Sequence, residues 1–215
     1  MIDDFYGNWE FDRSKPNFVG GYIVSSGHNT ALPIGYRPVP PGTPSWGKDW
    51  KAATAKYYQQ AMSITTRSGV LPNRYNYLDL DTSYKNAFGQ PLMRLTFDFK
   101  DNEHRMGMHG ADIVNQMISA MNPNKSSKAS GAKRNWGFTP YQSTHNTGGT
   151  IMGTTPGNSA VNKYQQSWDC HNLFLVGANV FPHNSAYQPT GLVGAMAYWT
   201  ADAIKNKYLK NPGLL

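Results

Sequence analysis

STHNTGGTIMG, residues 143–153, places His145 between hydroxyl side chains and the pair Gly148 and Gly149, ahead of a short apolar run. An imidazole is the side chain whose ordinary titration lies closest to neutral pH, so it can take up or release a proton there. Successive glycines let the backbone approach a flat or phosphorylated group, because no Cβ stands in the way. Taken alone, a histidine in such a loop is more often a hydrogen-bonded structural residue than a base, so its surroundings decide between the two readings.

The other reactive residues carry less. GTPSWGKD, residues 42–49, has the spacing of a phosphate loop, but Asp49 occupies the place of the magnesium-binding Ser or Thr. The PVPP ahead of it cannot form the buried strand such a loop needs, so the match is one of chance. No two glycines are separated by one residue, which excludes a strict G-x-G dinucleotide fingerprint. Cys170 and His171 are neighbours, and on an extended backbone they point to opposite faces, so the thiol reads as a packed one. His104 and His109, five residues apart and without HExxH, read as surface or satisfied histidines, and no metal is expected.

The elements that must position His145 follow from periodicity. Tyr22, Ile23 and Val24 form a short strand-like run within a Gly- and Pro-rich beginning. Residues 46–66 carry Trp50, Ala53, Tyr57, Ala61 and Ile64 at helical spacing. RYNYLDLD and PLMRLTFDF read as two strands joined by a loop containing Asn86, Gly89 and Pro91, the second alternating Leu92, Arg94, Thr96 and Asp98 against Met93, Leu95, Phe97 and Phe99. ADIVNQMISAM, residues 111–121, reads as a helix with Ile113, Met117 and Met121 on one face, capped by Asp101 or Asn102. A solvated linker, NPNKSSKASGAKRN, follows. Residues 172–181 read as a buried strand ending in Gly177 and Ala178, and residues 189–210 as a helix with Pro189 in its first turn and lysines in its last.

Composition bounds the class. The chain has 215 residues, 15% of them charged, 21 Gly and 14 Pro, which fits a globular protein with many turns, and the strands and helices read above make its class α+β. A net charge of +7 suits an anionic partner, but the basic residues are scattered apart from 122–135 and no nucleic-acid motif accompanies them. One cysteine excludes an internal disulfide. No apolar run reaches the ~20 residues of a membrane span, and MIDDFYGNWEFD lacks the regions of a signal peptide.

HNTGGTIMG, NSAVNKYQQSWDCHNLFLVGANVFP and QPTGLVGAMAYWTADAI, in this order, resemble the His/Gly-Gly/Met-Gly segment, the returning strand and the closing helix of the glucose-methanol-choline (GMC) family of flavin oxidoreductases. Within it, NYLDLDTSYKNAFGQPLMRLTFDF and YLKNPGLL resemble flavoprotein subunits of gluconate 2-dehydrogenase and related membrane sugar and polyol dehydrogenases. The resemblance implies an antiparallel-sheet substrate domain with flanking helices in 1–135 and, in 136–215, the returning strand and closing helix of an FAD-binding, Rossmann-like domain whose N-terminal segment is missing. It implies oxidation of the CH–OH group of a sugar, sugar acid or polyol, with His145 as the base and Gln188, where the family commonly has His or Asn, in the second catalytic position. Gly177, Ala178, Pro189, Thr190 and Gly148 would lie along FAD; at Gly177 the family often has an acidic residue. A cytochrome c subunit, a small export or maturation subunit and a periplasmic location are implied with it, and neither nucleic acid nor a direct membrane span. The alternative is a truncated, flavin-free scaffold that binds sugar or partner subunits.

Overall fold

The computed structural model describes residues 17–28, 39–131, 136 and 145–215. Its elements are β1 (Tyr22–His28), α1 (Gly47–Tyr57), β2 (Met62–Ser68), β3 (Tyr77–Lys85), β4 (Pro91–Thr96), α2 (Asp101–Met121) and α3 (Thr190–Ala203), with a 3-10 turn at Ala178–Val180 and a π turn at Ile204–Tyr208. They fall into two compact units, 1–68 with 100–133 and 69–99 with 134–215. The mixture of helices and antiparallel sheet agrees with the α+β expectation.

In the first unit β1 and β2 pair antiparallel from Tyr22↔Ser68 to His28↔Met62. Phe18, Tyr22, Val24, Met106 and Val114 form the core, with Ile64, Met117, Ile118 and Ala129 packed around it. Gly110 lets α2 lie close on β2, since a Cβ there would stand 3.1 Å from Thr66 Cγ2. The Tyr22 hydroxyl and His109 Nδ1 are 2.6 Å apart, so His109 is a satisfied histidine.

Several expectations change in this unit. The helix read over 46–66 ends at Tyr57, and Met62–Ser68 is strand β2. The β-branched run Ile64-Thr65-Thr66 favours extended backbone, and pairing with β1 decides the matter. Helix α2 begins ten residues before 111, its N-cap is Lys100, and the Glu103 carboxylate accepts from the Lys100 N–H at 3.0 Å. Asn102, expected as a cap, instead brackets Val19, accepting from its N–H at 2.8 Å and donating to its carbonyl at 3.0 Å. The buried stripe of α2 runs through Met106, Gly110 and Val114, and Met121 is exposed. The linker is pinned at Ala129, whose N–H donates to Asn115 Oδ1 at 2.9 Å and whose carbonyl accepts from Asn115 Nδ2 at 3.2 Å.

In the second unit β3 and β4 form an antiparallel hairpin with Leu78↔Leu95, Asp79↔Arg94 and Leu80↔Met93 paired, closed through Asn86 and Gly89. Leu78, Leu80, Met93 and Leu95 share one face and are all exposed, so the expected alternation exists in residue type and not in burial. The unit's core is Val161, Val180 and Phe181, with Met152, Leu175, Ala178, Val193 and Met196 against it. The run 172–181 is not a strand: Phe174 makes a single bridge to Gln166, and the chain then winds into the 3-10 turn. Gly177, at φ +135, breaks the extended path. The closing helix is α-helical to Ala203 and widens into the π turn.

Candidate functional site

The stretch after His145 lies along the 177–181 segment. Gly148 N–H donates to the Ala178 carbonyl at 3.1 Å, Thr150 N–H to Asn179 at 3.1 Å and Met152 N–H to Val180 at 2.8 Å. Helix α3 closes on the same place, because Val193 and Met196 pack against Val180 and Phe181. The three stretches singled out in the sequence therefore share one core.

His145 itself has φ +63, a left-handed backbone that a non-glycine residue adopts at a cost and that often marks a functional site. Asn184 holds it there by donating through Nδ2 to the His145 carbonyl. The imidazole side is exposed. Gly148 and Gly149 follow at φ +85 and +112, and a Cβ on Gly149 would lie 3.4 Å from Leu78 Cδ1, so the hairpin borders the loop. Asn179, an amide within an apolar run, fixes the loop a second time by donating to Thr150 Oγ1. Asn184 and Asn179 were missed in the sequence; the one signal was Asn179, an amide two residues after Gly177 within an otherwise apolar run.

Gln188 is exposed and immediately precedes Pro189, the buried residue at the N-cap of α3. No hydrogen bond joins Gln188 to His145 among the described residues. No side chain caps the helix, so its first N–H groups, at exposed Thr190 and Gly191, are open to an acceptor. A Cβ on Gly191 would meet nothing within 4 Å, whereas one on Gly177 would stand 2.7 Å from Asn179 Oδ1. An uncapped helix start that meets open space at Gly191 fits a phosphorylated group of the kind the resemblance implies.

Cys170 is exposed, against the expectation of a packed thiol. It sits on a turn in which its N–H donates to Ser167 Oγ at 3.2 Å, and Trp168 turns inward instead, its Nε1 donating to Ser159 Oγ at 3.0 Å.

Comparison with known proteins bears on the same segment. The family model described as GMC oxidoreductase matches residues 72–197. The chain is 45% identical over 215 residues to "Gluconate 2-dehydrogenase flavoprotein" of Pantoea cypripedii, covering 100% of this chain and 35% of that protein. It is 33% identical over 147 residues to "Fructose dehydrogenase large subunit" of Gluconobacter japonicus (67% and 25%), and 24% identical over 163 residues to "2-methyl-1,2-propanediol dehydrogenase" of Mycolicibacterium austroafricanum (76% and 28%). The chain thus spans about a third or less of the length of these curated relatives.

Proposed function

The chain belongs to the GMC oxidoreductase family, and from that premise we propose that it is the part of a flavin-dependent dehydrogenase that carries the catalytic base and closes the cofactor site. The substrate is the CH–OH group of a sugar, sugar acid or polyol, in line with the relatives' names, and the flavin is FAD. Residues 1–135 serve the substrate domain and 136–215 the returning, Rossmann-like part of the FAD domain.

The observation that carries this reading is His145: an exposed imidazole on a left-handed backbone, clamped through its carbonyl by Asn184, at the head of the segment on which α3 closes. Its ring takes the hydroxyl proton of the substrate, and rigid placement of the base is what makes such a transfer efficient. Gln188 orients the substrate oxygen by donating from its amide; unlike a histidine, it holds no proton to share. When bound, the flavin supplies an acceptor for the hydride leaving carbon. Gly148, Gly177 and Ala178 would lie along it, and Pro189 and Thr190 would bring the open start of α3 against it, where negative charge is favoured.

The name "large subunit" of one relative supports assembly with a second subunit. We extend this to a cytochrome c subunit that accepts electrons and a small maturation subunit, on the periplasmic face of a membrane. Among the described residues no helix is long and apolar enough to cross one.

A flavin-free scaffold is the second reading, favoured by the uncovered apolar face of Leu78, Leu80, Met93 and Leu95, which fits a partner. Anaerobic addition of sugar acids, sugars and polyols to the full-length protein separates the two. The dehydrogenase reading expects flavin absorbance near ~450 nm that bleaches with at least one class. A colourless protein, or a flavin that none of them reduces, overturns it.

A further inference from the structure

Gln166 is wholly buried, and both ends of its amide are used on backbone. Nε2 donates to the carbonyls of Gly213 and His171, each at 2.7 Å, and Oε1 accepts from the Leu215 N–H at 2.8 Å. Asn162, also buried, adds a bond from Nδ2 to the Leu215 carbonyl at 3.2 Å and caps the 162–166 turn, its Oδ1 accepting from the Tyr164 N–H at 2.9 Å. The side-chain amide of Gln166 thus pairs with residues 213 and 215 as a neighbouring strand would.

The turn that Gln166 anchors is bonded onward to the candidate site. Asn162 N–H donates to the Gln166 carbonyl at 2.9 Å, and Gly153 N–H to the Val161 carbonyl at 2.9 Å. Ala160 N–H donates to the Ile151 carbonyl at 2.9 Å. Residues 151–153 follow the glycine pair of the His145 loop with only Thr150 between. Val161, between turn and loop, is fully buried in the second core.

We propose that Gln166 is a positioning residue: by latching the 213–215 segment onto the 162–166 turn, it holds residues 148–153, and with them His145, in the geometry the site needs. The inference rests on the reading of His145 as the base, but its test does not. A buried amide left without partners is costly, so the latch closes as a unit or opens as one. Opening it frees the turn, then the bonds from 160 and 161 to the loop.

The test is amide hydrogen exchange in the chain carrying Gln166→Leu and, separately, Leu215→Pro, which deletes the N–H bonded to Oε1 and leaves the buried amide in place. In both variants the amides of Gly148, Thr150, Met152 and Gly153 should exchange at least ~10-fold faster, while those of α2 and α3 keep their protection. Unchanged exchange at these four amides in Leu215→Pro overturns the proposal. Loss of protection in α3 as well, in that milder variant, overturns it too, because Gln166 would then merely hold the unit together. Exchange reads the loop and not turnover, so a failed assignment of His145 as base leaves the outcome readable.

Discussion

Gly177→Ala is expected to destabilise the protein strongly for a single added methyl group. The backbone there is at φ +135 and ψ −172, a region open essentially to glycine, and holding another residue in it costs about 1–3 kcal/mol. The new Cβ would stand 2.7 Å from Asn179 Oδ1. Asn179 can swing away only by giving up its bond to Thr150 Oγ1, worth about 1 kcal/mol. Together these give about 2–4 kcal/mol, and for a chain of this size each kcal/mol lowers Tm by roughly 2–4 °C, so a fall of about 4–16 °C is expected. Gly89→Ala is the control: φ is +79 with nothing within 4 Å of the Cβ, so only the left-handed backbone cost, about 1 kcal/mol, applies. Differential scanning calorimetry of the two variants beside the wild type gives the comparison. A Gly177→Ala protein melting as high as Gly89→Ala would refute the reasoning, since neither the special backbone nor the contact with Asn179 would then matter.

Two further predictions concern pH. Burial pushes the Tyr22 phenol up to about 12, so its contribution to stability is complete below the ordinary tyrosine value and is lost as pH rises through 12. Alkaline unfolding of the first unit should therefore begin later in Tyr22→Phe, and an unchanged onset contradicts this. The hydrogen bond from Arg94 holds the Asp79 carboxyl below its ordinary range, and N–H groups of Tyr84 and Ser83 do the same for Asp81. The stability they supply is present above the ordinary carboxylate range and is lost as pH falls through the lowered values. Acid titration of the hairpin by NMR should show Asp79 and Asp81 titrating below free carboxylates. Titration together with them would contradict the pairing.

Legibility followed the range of the interactions. The hairpin, the later part of α2 and the start of the closing helix were readable because period, Asn86, Gly89 and Pro189 act locally. Strand β2 was lost in an apparently helical pattern because its partner, β1, is some forty residues earlier, and non-local pairing overrode local spacing. The run 172–181 looked like a strand on hydrophobicity, yet its burial comes from a 3-10 turn set by Gly177. At the site, His145 and the glycines stood out by type. Asn184, Asn179 and Gln166 did not, because an amide's value lies in the distant carbonyl or hydroxyl it meets.

The central claim is that His145 is the base, and substitution by asparagine tests it with little change to the fold, because asparagine tolerates the left-handed backbone. Steady-state turnover and flavin content of full-length His145→Asn should be measured together. Turnover lowered by about 100-fold or more with flavin still bound is the expected result, and turnover near that of the wild type would contradict the account.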